Sequence, residues 1–118
     1  MPDRSGYDHR RLGVYGEDRV LRWYLDRDHR LLERNWRCAD GEIDLILERD
    51  DCVVFCEVKT RSSNRFGTPA EAVGRDKQRR LRHLAVLWLA GSGRRFDHIR
   101  FDVAAVTSGR IQVVEGAF

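Results

Sequence analysis

Residues 41–61 read GEIDLILERDDCVVFCEVKTR, and they restrict the fold more than any other stretch of the chain. Two alternating segments, Glu42–Glu48 and Cys52–Thr60, flank a polar break at Arg49-Asp50-Asp51. Alternation at period two marks half-buried strands, and a two-residue polar turn between them marks a β-hairpin. A turn at Asp50-Asp51 fixes the pairing as 49:52, 48:53, 47:54 and onward, which sets Asp44 opposite Glu57 and Glu42 opposite Lys59. Directly opposed side chains have Cβ atoms ~4.5–5.5 Å apart, where like charges destabilise a sheet. A hard divalent cation held by oxygen ligands is a direct reason for two carboxylates to face each other there.

The same alternation sorts the hairpin into two faces. Glu42, Asp44 and Ile46 project with Phe55, Glu57 and Lys59, while Ile43, Leu45 and Leu47 project with Val54, Cys56 and Val58. The second face is wholly apolar; the first grades from apolar at the turn to charged at the open end, where a site is expected. Lys59 follows Glu57 by two residues and so shares its face. Beside a cation held by Asp44, Glu57 and a backbone carbonyl near residue 58, Lys59 can orient or activate the attacking water or stabilise developing charge. Arginine cannot serve as a base in that way. Of the 22 basic residues, only Lys59 and Lys77 are lysine, so these two positions stand out as places that need a compact ammonium with a tunable pKa. Ordinary ion pairs on a solvated sheet face, such as Asp44–Lys59 or Glu57–Lys77, are the competing reading of the same residues. Asp102 is read in that sense, as a partner for Arg100 or a cap on a neighbouring turn.

Charge is spread unevenly. Residues 38–60 carry two basic and seven acidic groups, and residues 61–100 carry ten basic and three acidic ones. An acidic centre beside a basic segment suits a site that holds a cation and faces a polyanion, although charge runs also make ordinary solvated faces. The basic residues nearest the hairpin are Arg61 and Arg65, in a Ser-, Asn-, Gly- and Pro-containing loop that serves as a substrate flap or a plain connector. Beyond it lie Arg75, Arg79, Arg80 and Arg82 on the second helix, placed to contact phosphates.

The remaining elements follow from periodicity. Residues 1–12 are expected to be a flexible tail, and residues 13–118 a single domain. A first helix is expected from Gly13–Gly16 to about His29, with Val20, Leu21, Tyr24 and Leu25 as its apolar stripe. Glu17 shares the face of Leu21 and reads on its own as a first-turn carboxylate favoured by the helix dipole. Leu31–Cys38 is expected as a strand. A second helix is expected from Pro69 or Ala70 to Ala90, with Val73, Leu81, Leu84 and Trp88 on one face and Lys77 among them, either at the stripe's edge or aimed at the carboxylates. Two more strands follow, Phe96–Val106 and Ile111–Val114. The order is α-β-β-β-α-β-β. Three cysteines without a CxxC pair argue against a disulfide framework or structural zinc and fit a reduced, cytoplasmic setting. The first residues have no apolar core of a signal peptide, and no apolar run approaches a membrane span.

On GEIDLI at 41–46 and VFCEVKTR at 54–61, the chain resembles the PD-(D/E)xK nuclease superfamily with its restriction-endonuclease-like core. More closely it resembles the YraN family of small, endonuclease-like bacterial proteins, similar to archaeal Holliday junction resolvases. The resemblance extends to G-x-x-x-E at Gly13–Glu17, RNWR at 34–37, FGTPAEAV at 66–73, Lys77 and FDV at 101–103. It implies an α/β fold with a mixed five-stranded sheet flanked by two helices. It implies Asp44 and Glu57 as ligands of Mg²⁺ or Mn²⁺, Lys59 as the catalytic lysine, Glu17 as a helix-one acid assisting the metal, and Lys77 (or Gln78) as a polar residue near the site. The Pro-Asp of the superfamily name is absent, since Ile43 precedes Asp44. The implied activity is hydrolysis of nucleic-acid phosphodiesters, DNA first among them, with branched DNA and a homodimer suggested by the resolvase likeness. A non-catalytic nucleic-acid-binding or interaction protein that keeps the fold is the other reading.

Overall fold

The computed structural model describes residues 4–61, 69, 71 and 73–118, with side chains from residue 13 onward. The elements run α1 (Arg4–Leu25), β1 (Arg30–Cys38), β2 (Gly41–Arg49), β3 (Cys52–Arg61), α2 (Arg75–Ser92), β4 (His98–Thr107) and β5 (Arg110–Val114), the order expected from periodicity. All five strands form one sheet in the order β1-β2-β3-β4-β5. The β1–β2, β2–β3 and β4–β5 pairs are antiparallel, while β3 and β4 are parallel. A parallel pair needs a crossover, and α2 supplies it. Among the described residues no helix is long and apolar enough to cross a membrane.

The two helices cover opposite faces. Val20 and Tyr24 of α1 pack with Leu45, Leu47, Val54, Cys56, Ala104 and Val106. Leu84, Ala85 and Trp88 of α2 pack with Ile43, Ile46, Val53 and Phe55. Ile43 is a correction, because period two puts it with Leu45 and Leu47. The cause lies at Asn35, which has φ 53° between the pairs Arg34↔Leu45 and Trp36↔Ile43. Asparagine tolerates this left-handed geometry. The alternation inverts across it and across Asp44, which lies between the same two pairs on β2.

The hairpin register is as expected, from Arg49↔Cys52 through Glu48↔Val53 and Leu47↔Val54 to Leu45↔Cys56. Asp50 takes φ 53° in the turn. The ladder ends at Leu45↔Cys56, one pair short of Asp44 and Glu57. Glu42 therefore does not face Lys59; it pairs with Arg37 on β1, Nε to Oε2 at 2.6 Å.

The helix bounds differ from expectation. α1 begins nine residues ahead of Gly13, taking in Arg4–Leu12 of the segment expected as a tail. Once a helix is nucleated, each further residue adds a hydrogen bond, and no proline interrupts this stretch. Its C-terminal end comes at Leu25, closed by Asp28 at φ 60° and by the His29 amide donating to the Tyr24 carbonyl at 3.1 Å, a Schellman-type cap. α2 starts at Arg75, later than Pro69 or Ala70. Gly74 is its extended N-cap, and the Gln78 amide donates to the Gly74 carbonyl at 2.9 Å.

Candidate active site

Where the β2–β3 ladder stops, a side chain takes over. Asp44 Oδ2 accepts the Val58 backbone N–H at 2.8 Å. Glu57 is one residue away on β3, and α2 brings Lys77 over it. Lys77 Nζ lies 3.5 Å and Lys59 Nζ 3.6 Å from Glu57 Oε1. The structure thus gathers Asp44, Glu57, Lys59 and Lys77 from three elements at one end of the sheet. Asp44 is 9% exposed and Glu57 6%, so the two carboxylates are buried, and of the ion pairs that the competing reading names Glu57–Lys77 does form.

The electrostatics of Asp44 follow from this geometry. Burial, then the Glu57 carboxylate, then Glu17 and Glu42, push its pKa up to about 7 against the opposing hydrogen bond from Val58. A buried carboxylate raised mainly by desolvation and a second carboxylate has lost water and gained no cation of its own. Such a state is found at functional sites and also in structural ion-pair networks.

Glu17 approaches the cluster from α1, near enough for its charge to raise Asp44. It is held elsewhere, however. Arg34 Nε donates to Glu17 Oε1 at 3.1 Å, while Arg34 Nη1 donates to Asp18 Oδ1 at 2.7 Å. Among the described residues no three His, Cys, Asp or Glu side chains are grouped to hold a metal ion. The donor set that the described residues supply is two buried carboxylates. It still suits Mg²⁺, which keeps several waters and is commonly held by one or two carboxylates together with substrate phosphate.

α1 reaches this close because of Gly16, since a Cβ built there would lie 2.2 Å from Thr60 Oγ1. Around the site, Arg75, Arg79 and Arg80 are exposed on the first turns of α2, and the Arg80 stem lies over Gly41 at the start of β2. Arg61 ends β3 opposite Thr107 of β4. Arg65 lies outside the described residues.

Two features escaped sequence reasoning. The first is Arg34, whose signal was an arginine in the half-buried phase of β1, between Leu32 and Trp36. The second is that Tyr24 of α1 joins a buried network around Asp102. Its carboxylate accepts from Tyr24 Oη at 2.6 Å, from Arg100 Nε at 2.9 Å and Nη2 at 3.0 Å, and from the Gly116 amide at 3.0 Å. Asp102 thus pairs with Arg100 and also caps a turn, as the sequence suggests, and it faces α1 rather than the Lys77 side.

Fold and site define a restriction-endonuclease-like α/β domain with a buried acidic pair and two lysines at the open end of its central hairpin. The profile of the uncharacterised protein family UPF0102 matches residues 16–106, and the chain belongs to that family, the YraN-type group that its motifs resemble. It is 46% identical over 112 residues to a UPF0102 protein of Rhodococcus jostii (strain RHA1), covering 91% of this chain and 95% of that one. A UPF0102 protein of Frankia casuarinae is 43% identical over 112 residues, with the same two coverages of 91% and 95%. One from a Nocardioides species is 50% identical over 99 residues, covering 84% of this chain and 80% of the relative.

Proposed function

We propose that the protein is a divalent-metal-dependent nuclease that hydrolyses phosphodiester bonds of nucleic acid, with DNA, including branched DNA, as the first substrate to test. The observation that carries this reading is the buried Asp44/Glu57 pair with Lys59 and Lys77 both set against Glu57. Asp44 and Glu57 would hold Mg²⁺ or Mn²⁺, with Glu17, whose charge reaches Asp44, as a further carboxylate. When bound, such a cation supplies charge neutralisation at the phosphate and lowers the pKa of nearby water.

The chain's own residues do the rest. The Val58 N–H fixes the orientation of Asp44. Lys59 and Lys77, each about one-third exposed, can turn from Glu57 toward a phosphoryl oxygen and stabilise the charge that grows there. In the reaction water oxygen attacks phosphorus and one P–O ester bond breaks, leaving a phosphate monoester and a hydroxyl. Arg61, Arg65, Arg75, Arg79 and Arg80 would bind backbone phosphates, so affinity should fall steeply with salt and show little base preference. A homodimer would set two such sites across a branched substrate.

One observation favours a non-catalytic nucleic-acid-binding or interaction protein instead. Glu57 already has two ammonium partners, and no third protein ligand is grouped with the pair among the described residues. Calorimetric titration with Mn²⁺ and a cleavage panel of branched, flapped and single-stranded DNA and RNA separate the two. Heat and cleavage that vanish in Glu57→Ala support the nuclease. Salt-sensitive binding with neither heat nor cleavage supports the second reading.

A further inference from the structure

Away from the acidic pair, α1 and β5 border an open cleft of about 520 Å³. Its walls carry the rings of Tyr15 and Trp23 and the guanidinium groups of Arg19, Arg22 and Arg27. We infer that this cleft is a second nucleic-acid subsite, which takes the bases of a single strand running on from the proposed active site. This inference rests on the nucleic-acid part of the reading above.

The charge of the cleft is that of a polyanion site. Asp18 is taken by Arg34 at 2.7 Å and Asp26 by Arg22 at 3.2 Å. Among the described residues no carboxylate pairs with Arg19 or Arg27, so the described lining holds three guanidinium groups against the two carboxylates of Asp18 and Asp26.

Its shape is that of a stacking platform. The Arg27 guanidinium carbon lies over the Trp23 ring, 3.8 Å from the centroid, and Nη1 donates to the Trp23 carbonyl at 2.9 Å. Arg27 itself is exposed. Tyr15 is half-exposed, with Arg19 5.8 Å from its ring centroid. Bases stack on aromatic rings and on guanidinium planes alike, at ~1–3 kcal/mol per base and without regard to sequence. Tyr15 and Trp23 are two helical turns apart, roughly 12 Å at 1.5 Å per residue, which is about three to four stacked nucleotides at 3.4 Å each.

The cleft also lies on the path from the site. Glu17 projects from the same helix toward Asp44. Arg19 donates through Nη1 to the carbonyl of Gly109, in the turn that follows Thr107, and Thr107 pairs with Arg61 at the end of the catalytic strand β3. A strand leaving Lys59 and Arg61 therefore meets Arg19 and Tyr15 first.

The test is fluorescence anisotropy with labelled oligothymidylate of twelve nucleotides and a twelve-base-pair duplex, at low salt with EDTA so that nothing is cut. Tyr15→Ala and Arg27→Lys should each weaken oligothymidylate binding about five- to tenfold and leave the duplex within about twofold. Arg27→Lys keeps the charge and removes the plane, so it separates stacking from charge. Unchanged oligothymidylate binding, or an equal loss on both ligands, would overturn the subsite. If the cleavage panel is blank while Tyr15→Ala still impairs oligothymidylate binding, the catalytic reading fails and the subsite stands. If cleavage is present and Tyr15→Ala binds oligothymidylate as the wild type does, the subsite alone fails. If wild-type protein binds no oligonucleotide, the subsite falls whatever the acidic pair does.

Discussion

The Val58 N–H donates to Asp44 Oδ2 at the point where the β2–β3 ladder has ended, so one carboxylate oxygen replaces a backbone partner inside the sheet. This holds a poorly solvated carboxylate beside Glu57, and the cost should appear as pH-dependent stability. The pKa of Asp44 is raised from 3.8 in the unfolded chain to about 7 in the fold. The folded state therefore binds more protons between these values. Stability is greatest below about pH 4 for this group and falls as pH rises toward 7. The full shift corresponds to a ceiling on the order of 4 kcal/mol at 1.36 kcal/mol per unit, reduced by coupling to Glu57. Asp44→Asn keeps an acceptor for Val58 and removes the charge. It should raise stability at pH 8 by about 1–3 kcal/mol, with the gain vanishing near pH 4. Urea unfolding at both pH values measures it; equal curves at pH 8 would mean that Asp44 is not strained by its surroundings.

Glu57→Gln tests the other half of the pair. The substitution removes the carboxylate that contributes most, after burial, to the raised pKa of Asp44, so Asp44 should titrate at lower pH. It also leaves Lys59 and Lys77 facing a neutral amide. Divalent-cation binding should drop at least tenfold. Carbon-13 carboxyl titration follows Asp44, and calorimetry with Mn²⁺ follows the metal. An Asp44 titration that does not move would separate the two carboxylates electrostatically and undo the shared site.

The contact of Gly16 with Thr60 makes a prediction about packing. In Gly16→Ala the new methyl meets Thr60 Oγ1, which must rotate or push α1 away from β3. Overpacking of this kind costs about 1–2 kcal/mol. With Thr60→Ala in the background the nearest remaining atom is the residue 60 Cβ at 3.4 Å, an ordinary contact, and most of the loss should return. A double-mutant cycle by thermal or urea unfolding reads the coupling. Additive losses would mean that the two residues do not share the contact.

These residues also mark how far the sequence could be read. The Asp50-Asp51 turn and period-two alternation were enough to number every pair from Arg49↔Cys52 to Leu45↔Cys56, because a one-residue slip would turn the apolar set outward. Lys77 falls in the apolar stripe of the second helix, where spacing leaves it either at the stripe's edge or aimed at the carboxylates, and it meets Glu57. What was hidden depends on single backbone dihedrals or on partners distant in sequence. Asn35 at φ 53° inverts the alternation and sends Ile43 under α2, and no pattern of side-chain types announces it. Asp28 closes α1 in place of the usual glycine. Arg34 reaches across to Glu17 on α1, which spacing along either element cannot foretell.

Asp102 is fully buried and acidic, and its hydrogen bonds join β4 to α1 and to the turn at Gly116. Four donor groups converge on its two oxygens, and Arg100 Nη2 also lies 3.2 Å from His29 Nε2, tying β4 to the end of α1. Removing the carboxylate leaves the partly buried Arg100 guanidinium with Glu115, 3.6 Å away, as its remaining carboxylate and the Tyr24 hydroxyl without its acceptor. Asp102→Ala is therefore expected to cost about 2–4 kcal/mol, from the lost hydrogen bonds and the unpaired Tyr24 hydroxyl. Tyr24→Phe removes one hydrogen bond and keeps the ring packing, so it should cost only about 1–2 kcal/mol. Asp102 occupies the α1 face beside Tyr24, whereas Glu57 meets Lys77 from α2. Mn²⁺ binding by Tyr24→Phe should thus match the wild type while its urea midpoint falls. A loss of Mn²⁺ heat in folded Tyr24→Phe protein would instead join Asp102 to the acidic pair and enlarge the site across the sheet.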